Sequence, residues 1–138
     1  MPTTLMIIDD DEDDLFLFCS AVEEFDQDIH CIRAEAVDNA LMILRDEQVK
    51  PDFIFLDLNM PRINGKSCLK MLKQSKEYKD IPVVIYTTSK LKEDKAECKR
   101  IGAAAFITKP NSQRELNRYL KLVLNHEWEK IEQSTHYH

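Results

Sequence analysis

Phe53-Ile54-Phe55-Leu56-Asp57-Leu58-Asn59-Met60-Pro61, followed by Asn64-Gly65, decides how this chain is read. Four apolar residues run without interruption into an aspartate. Aspartate is depleted in strands and is almost never fully buried without a partner. The run therefore predicts a buried strand that opens into a loop at Asp57. In open α/β sheets, the strand mouth is where ligands bind.

Four further segments extend the pattern. Leu5 to Ile8, Ile29 to Ala34, Val83 to Tyr86 and Ala103 to Ile107 read as strands. Continuous apolar runs suit parallel strands covered on both faces, whereas the alternation in Ile29 to Ala34 suits an edge. Helical spacing separates them. Leu15, Phe18, Val22 and Phe25 share one face, as do Val37, Ala40, Leu41 and Leu44. A third helix is expected from near Gly65 to Gln74, and a fifth from near Ser112 through Leu124. The fourth, Leu91 to Ile101, has only Leu91, Ala96, Cys98 and Ile101 to bury and should be among the more mobile elements. This alternation predicts βαβ units and a parallel sheet. Right-handed crossovers then bring every strand's C-terminal end to one edge.

Length and composition narrow the function. The chain has 138 residues, enough for one domain with a core. The net charge of −6 disfavours nucleic acid as a partner. No apolar stretch approaches the roughly 20 residues that span a bilayer. The N-terminus lacks a signal-peptide pattern, so cytoplasmic residence is expected. The cysteines, Cys19, Cys31, Cys68 and Cys98, stand singly and read as reduced, packed thiols. His30, His126, His136 and His138 form no ligand pattern.

The strand ends carry the chemistry. The first runs into Asp9 and Asp10 and four more acids, the third into Asp57, the fourth into Thr87, and the fifth into Lys109-Pro110. Glu12, Asp13 and Asp14 read as a solvated helix start favoured by the macrodipole. Asp9 and Asp10 follow buried Ile8 and should share a cleft with Asp57. Like charges about 4 Å apart repel by roughly 4 kcal/mol at an effective dielectric of 20. Three carboxylates against one lysine call for a hard divalent cation, and all-oxygen ligation points to Mg2+. Lys109–Pro110 is a candidate cis peptide, rare by base rate.

These residues together resemble the receiver domain of two-component response regulators, in its stand-alone form. The resemblance rests on Asp9-Asp10 after a strand, on Asp57 within its Leu-Asp-Leu-Asn-Met-Pro segment, on Thr87 after Val83 to Tyr86, and on Lys109-Pro110. It covers residues 4 to 125. It implies a flavodoxin-like (βα)5 fold with strand order 2-1-3-4-5. Residues 1–125 would be the receiver, and 126–138 a helical extension or a disordered tail.

The resemblance further implies roles. Asp57 would accept a phosphoryl group from a histidine kinase or a histidine phosphotransfer protein. Asp10, Asp57 and the Asn59 carbonyl would bind Mg2+, with Asp9 acting through a water. Lys109 would pair with the Asp57 carboxylate and then with a phosphoryl oxygen, and Thr87 would bond another. Thr87 and Phe106 would form the switch, although Phe106 is also readable as an ordinary core residue. Asn59 and Ser89 occupy the positions that tune dephosphorylation, and a phosphoryl lifetime of intermediate length is expected. Output would go to a downstream protein target, without nucleic acid or membrane. The chain would be no enzyme beyond its own phosphorylation and dephosphorylation.

Two other readings compete. One is a degenerate receiver that binds partners without phosphorylation. The other is a haloacid-dehalogenase type of enzyme, which wants a second Asp where this chain has Asn59. The stripe Leu120, Leu124, Trp128, Ile131 also continues past the expected domain end. It reads either as a frayed tail or as an extension of the last helix that meets a partner or a second copy.

Overall fold

The structure is a computed structural model that describes residues 3–60 and 64–135. Five parallel strands form one sheet: β1 (Thr4–Ile8), β2 (His30–Ala34), β3 (Phe53–Leu56), β4 (Val83–Thr87) and β5 (Ala105–Thr108). Their order is β2-β1-β3-β4-β5, as expected. Six helices alternate with and follow them: α1 (Glu12–Phe25), α2 (Val37–Asp46), α3 (Gly65–Gln74), α4 (Lys92–Ile101), α5 (Gln113–Leu124) and α6 (Trp128–Thr135). Among the described residues no helix is long and apolar enough to cross a membrane.

The period of two along each strand divides the core into two layers. Met6, Ile8, Ile54, Leu56, Val83, Ile85 and Phe106 pack with α2, α3 and Cys98 of α4. Leu5, Ile7, Phe53, Phe55, Val84, Tyr86 and Ile107 pack with α1, α5 and Ile131 of α6. This is why the central strands read as unbroken apolar runs. The edge strand β2 is half-exposed over most of its length.

Helix starts follow local chemistry. Asp11, Asn64 and Ser112 each accept backbone N–H bonds at the N-caps of α1, α3 and α5. The fourth helix is sparer than expected. Leu91 and Ala96 are exposed, Ile101 is half-buried, and only Cys98 is fully covered.

The C-terminal stripe does not extend α5. The chain turns at Asn125-His126, where His126 takes a left-handed φ of 56°. The Glu127 N–H donates to the Leu122 carbonyl at 2.9 Å, and α6 folds back onto β5 and α5. Ile131 is fully buried in the chain's own core, and Trp128 packs edge-on against Phe53 and His126. Ile131 thus belongs to the chain's own core, and half-buried Trp128 packs beside it on the same short helix.

Candidate functional site

Backbone pairing continues past the strand ends and fixes the site residues. The Asp9 N–H donates to the Ala34 carbonyl at 3.1 Å, Asp57 to Ile8 at 3.0 Å, and Lys109 to Thr87 at 2.8 Å. Gly65, at the start of α3, is equally constrained. The Gly65 N–H donates to the Leu58 carbonyl at 3.0 Å. A Cβ on Gly65 would stand 2.4 Å from the Asp57 carbonyl oxygen, so only glycine permits this approach. Pro61, Arg62 and Ile63 of the loop after β3, and the terminal His136 and His138, lie outside the described residues.

Asp9, Asp10 and Asp57 come together as expected. One carboxylate oxygen from each lies within 4.8 Å of the others. Asp9 and Asp57 are buried and Asp10 is exposed, so the cluster opens to solvent on one side. Asp57 Oδ1 is buried without a hydrogen-bond partner. Burial holds the Asp57 carboxyl above its ordinary range, the Lys109 charge opposes this, and the Asp9 carboxylate adds to it. An unpartnered buried oxygen beside two further carboxylates is a donor set that fits a hard divalent cation.

Lys109 departs from the expected pairing. Its ammonium donates to Asp9 Oδ2 at 2.8 Å and to Asp14 Oδ2 at 2.9 Å, and it lies 5.8 Å from the centre of the Tyr86 ring. Burial works against its charge, but the two hydrogen bonds and the nearby Asp57 hold the ammonium above its ordinary pKa. The Lys109–Pro110 peptide is trans, since no cis bond occurs among the described residues. The trans form is the favoured one by about 0.5–1 kcal/mol. The bond from Lys109 N–H to Thr87 already fixes the backbone, so no cis turn is needed to aim the side chain.

Thr87 is fully buried, and its hydroxyl accepts from Asn59 Nδ2 at 3.4 Å and from the Ser89 N–H at 3.3 Å. Ser89 turns its own hydroxyl toward α4, donating to Asp94 Oδ2 at 2.7 Å. Phe106 is packed into the core.

Asp14, which the sequence presents as a solvated acid, is also part of the site. A signal was present: Asp14 stands four residues before buried Phe18, so it borders the buried stripe of α1. The acids at Asp11 and Asp14 also differ in work, one capping α1 and the other joining Lys109.

Comparison with known proteins agrees with this geometry. The model of the response regulator receiver domain matches residues 5–121. The chain belongs to the response regulator receiver family. This receiver is 30% identical over 120 residues to Protein PilH of Pseudomonas aeruginosa, covering 87% of this chain and 96% of PilH. It is 32% identical to the polar-differentiation response regulator DivK of Brucella anthropi, covering 81% of this chain and 88% of DivK. Among solved structures, the receiver resembles the Mn2+-bound form of response regulator Rcp1 with a TM-score of 0.71 and 25% identity, over 86% of this chain and 88% of that one. A crystal structure of a protein from Chloroflexus aurantiacus gives a TM-score of 0.78 at 25% identity, over 91% of this chain and 99% of that one.

Proposed function

We propose that this receiver takes a phosphoryl group onto Asp57 from the phosphohistidine of a sensor histidine kinase or a histidine phosphotransfer protein. The observation that carries the reading is Asp57 itself: buried, with one unpartnered oxygen, among Asp9, Asp10 and the Lys109 ammonium. A side chain in that position is a nucleophile held ready on a rigid strand end. An Asp57 carboxylate oxygen attacks phosphorus, and the P–N bond breaks with its electron pair remaining on the imidazole nitrogen.

Phosphoryl transfer depends on positioning and charge neutralisation more than on covalent assistance. Asp10, Asp57 and the Asn59 carbonyl would hold Mg2+, with Asp9 contributing through a water. When bound, Mg2+ supplies positive charge to the phosphoryl oxygens. Lys109 neutralises another of those oxygens. The Thr87 hydroxyl turns from its present neighbours to donate to a third. Phe106, one side chain from Ile107 on the same strand, follows Thr87 and alters the surface near α4 and β5. Asn59 and Ser89 offer no strong base to steer water, which favours a phosphoryl lifetime between seconds and many hours. Such a module works in the cytoplasm and signals to a downstream protein by contact.

The test is direct. The protein is incubated with Mg2+ and acetyl phosphate, and its intact mass is measured. A gain of one phosphoryl group that is lost in Asp57→Asn is expected. No gain would favour a module that binds partners without phosphorylation.

A further inference from the structure

Among the described residues, Lys109 is the cation that pairs with the clustered carboxylates, yet its hydrogen bonds go to Asp9 and Asp14 and not to Asp57. Its two partners differ in kind. The Asp9 side chain is 2% exposed, its Oδ1 accepts from the Asp11 N–H at 3.0 Å, and its backbone is tied to Ala34. That pair is built into the fold. The Asp14 side chain is 40% exposed and stands on the first turn of α1. That pair is open to water, so it is the weaker of the two and the one that yields.

Resting on the phosphoacceptor reading above, we propose that Asp14 is a positioning residue. It holds Lys109 off Asp57 in the unphosphorylated chain and releases it when a phosphoryl oxygen arrives. The lysine pivots about Asp9, exchanging one anionic oxygen for another. Two consequences follow from charge alone. Asp57 keeps an unpaired oxygen for the incoming group and for the cation, instead of being neutralised in advance. The phosphorylated state must also break the Asp14 pair, so Asp14 sets how readily that state forms.

The experiment uses beryllofluoride with Mg2+, a non-covalent stand-in for the phosphoryl group, titrated calorimetrically into the full chain. Asp14→Asn is expected to bind it about five-fold more tightly than wild type, or ~1 kcal/mol at ~1.4 kcal/mol per decade. Asp13→Asn removes the same charge one residue away, from an exposed side chain outside the Lys109 pairs, and should stay within about two-fold. Asp14→Glu, which keeps the carboxylate, should return toward wild type. In 15N-labelled protein without beryllofluoride, the Lys109 ammonium resonance should move in Asp14→Asn and not in Asp13→Asn. Equal affinities for Asp14→Asn and wild type, or equal effects of the two Asn variants, would overturn the proposal. A residue that only supported the first turn of α1 would change melting temperature and leave both readouts alone. If wild type binds no beryllofluoride and gains no mass from acetyl phosphate, the phosphoacceptor reading itself fails, and this one with it.

Discussion

Gly65 lies against the backbone of Asp57 so closely that a Cβ there would stand 2.4 Å from the Asp57 carbonyl oxygen and 2.6 Å from the Leu58 Cα. Both obstacles are backbone, so neither can rotate away. Gly65→Ala is therefore expected to force the loop off the strand. The cost should be about 3 kcal/mol, the upper part of the range for overpacking. Urea unfolding measures it, and an unchanged midpoint would show that the loop has room to retreat.

Asp57 stands in the core at a cost. Burial raises its folded-state pKa above the unfolded value, so the ionised carboxylate destabilises the fold at neutral pH. The penalty is present above the folded pKa and fades as pH falls through it. Asp57→Asn should therefore stabilise the metal-free protein by about 1 kcal/mol, the scale of an unsatisfied buried polar group. The gap should close on acidification. Unfolding in EDTA at several pH values tests this. Mg2+ should reverse the order, since saturation to 100 times Kd contributes about 2.7 kcal/mol to whichever protein binds it.

Ile131 fills the chain's own core and is 0% exposed. Ile131→Ala should cost about 3 kcal/mol by cavity formation. Truncation after Asn125 should destabilise at least as much, because it also removes Trp128 from Phe53 and Glu132 from Lys99. Thermal melts of both variants check this, and a truncated chain as stable as wild type would contradict it.

The thiols should separate into two classes. Cys68 and Cys98 are buried, and burial pushes them up to about 12 and about 11. Cys19 and Cys31 are half-buried and hydrogen-bonded to each other, an arrangement that lowers Cys19, with help from the Arg33 charge, and raises Cys31. Iodoacetamide at pH 8 should label Cys19 first and leave Cys68 and Cys98 untouched until unfolding. Peptide mapping against time gives the order.

Helix α4 depends on polar ties because Cys98 is its only fully buried residue. Lys66 donates to Asp94 at 2.7 Å and to Glu97 at 3.1 Å, joining α3 to α4. The hydrogen bonds from Lys66 and Ser89 hold Asp94 below the ordinary carboxylate range. A depressed carboxylate stabilises the fold above its unfolded pKa, and that support is lost as pH falls through the folded value. Hydrogen exchange should show α4 amides losing protection first on acidification below pH ~4. Asp94→Asn should produce the same loss at neutral pH.

Much of the sheet was legible because apolar runs and their spacing are local. Phe53 to Leu56 and the helix from Gly65 to Gln74 were expected at the bounds the structure has. Asp9, Asp10, Asp57, Thr87 and Lys109 were found as strand-end residues, since a parallel sheet brings all such ends to one edge. Leu91 and Ala96 are exposed although their spacing places them on the face to be buried, because helical spacing names a face without saying whether anything covers it.

What the sequence by itself determined is therefore the frame and the identity of the clustered groups. Period and polarity are properties of neighbours in the chain, and they suffice for strands, helices and strand ends. Only the tertiary structure decided which groups pair. Lys109 chooses Asp9 and Asp14 over Asp57 across 100 and 95 residues of chain, and α6 turns back to bury Ile131 instead of continuing α5. Both outcomes depend on distances of a few ångströms between segments remote in sequence. There Coulomb attraction and packing weigh competing partners, and no local pattern encodes which one wins.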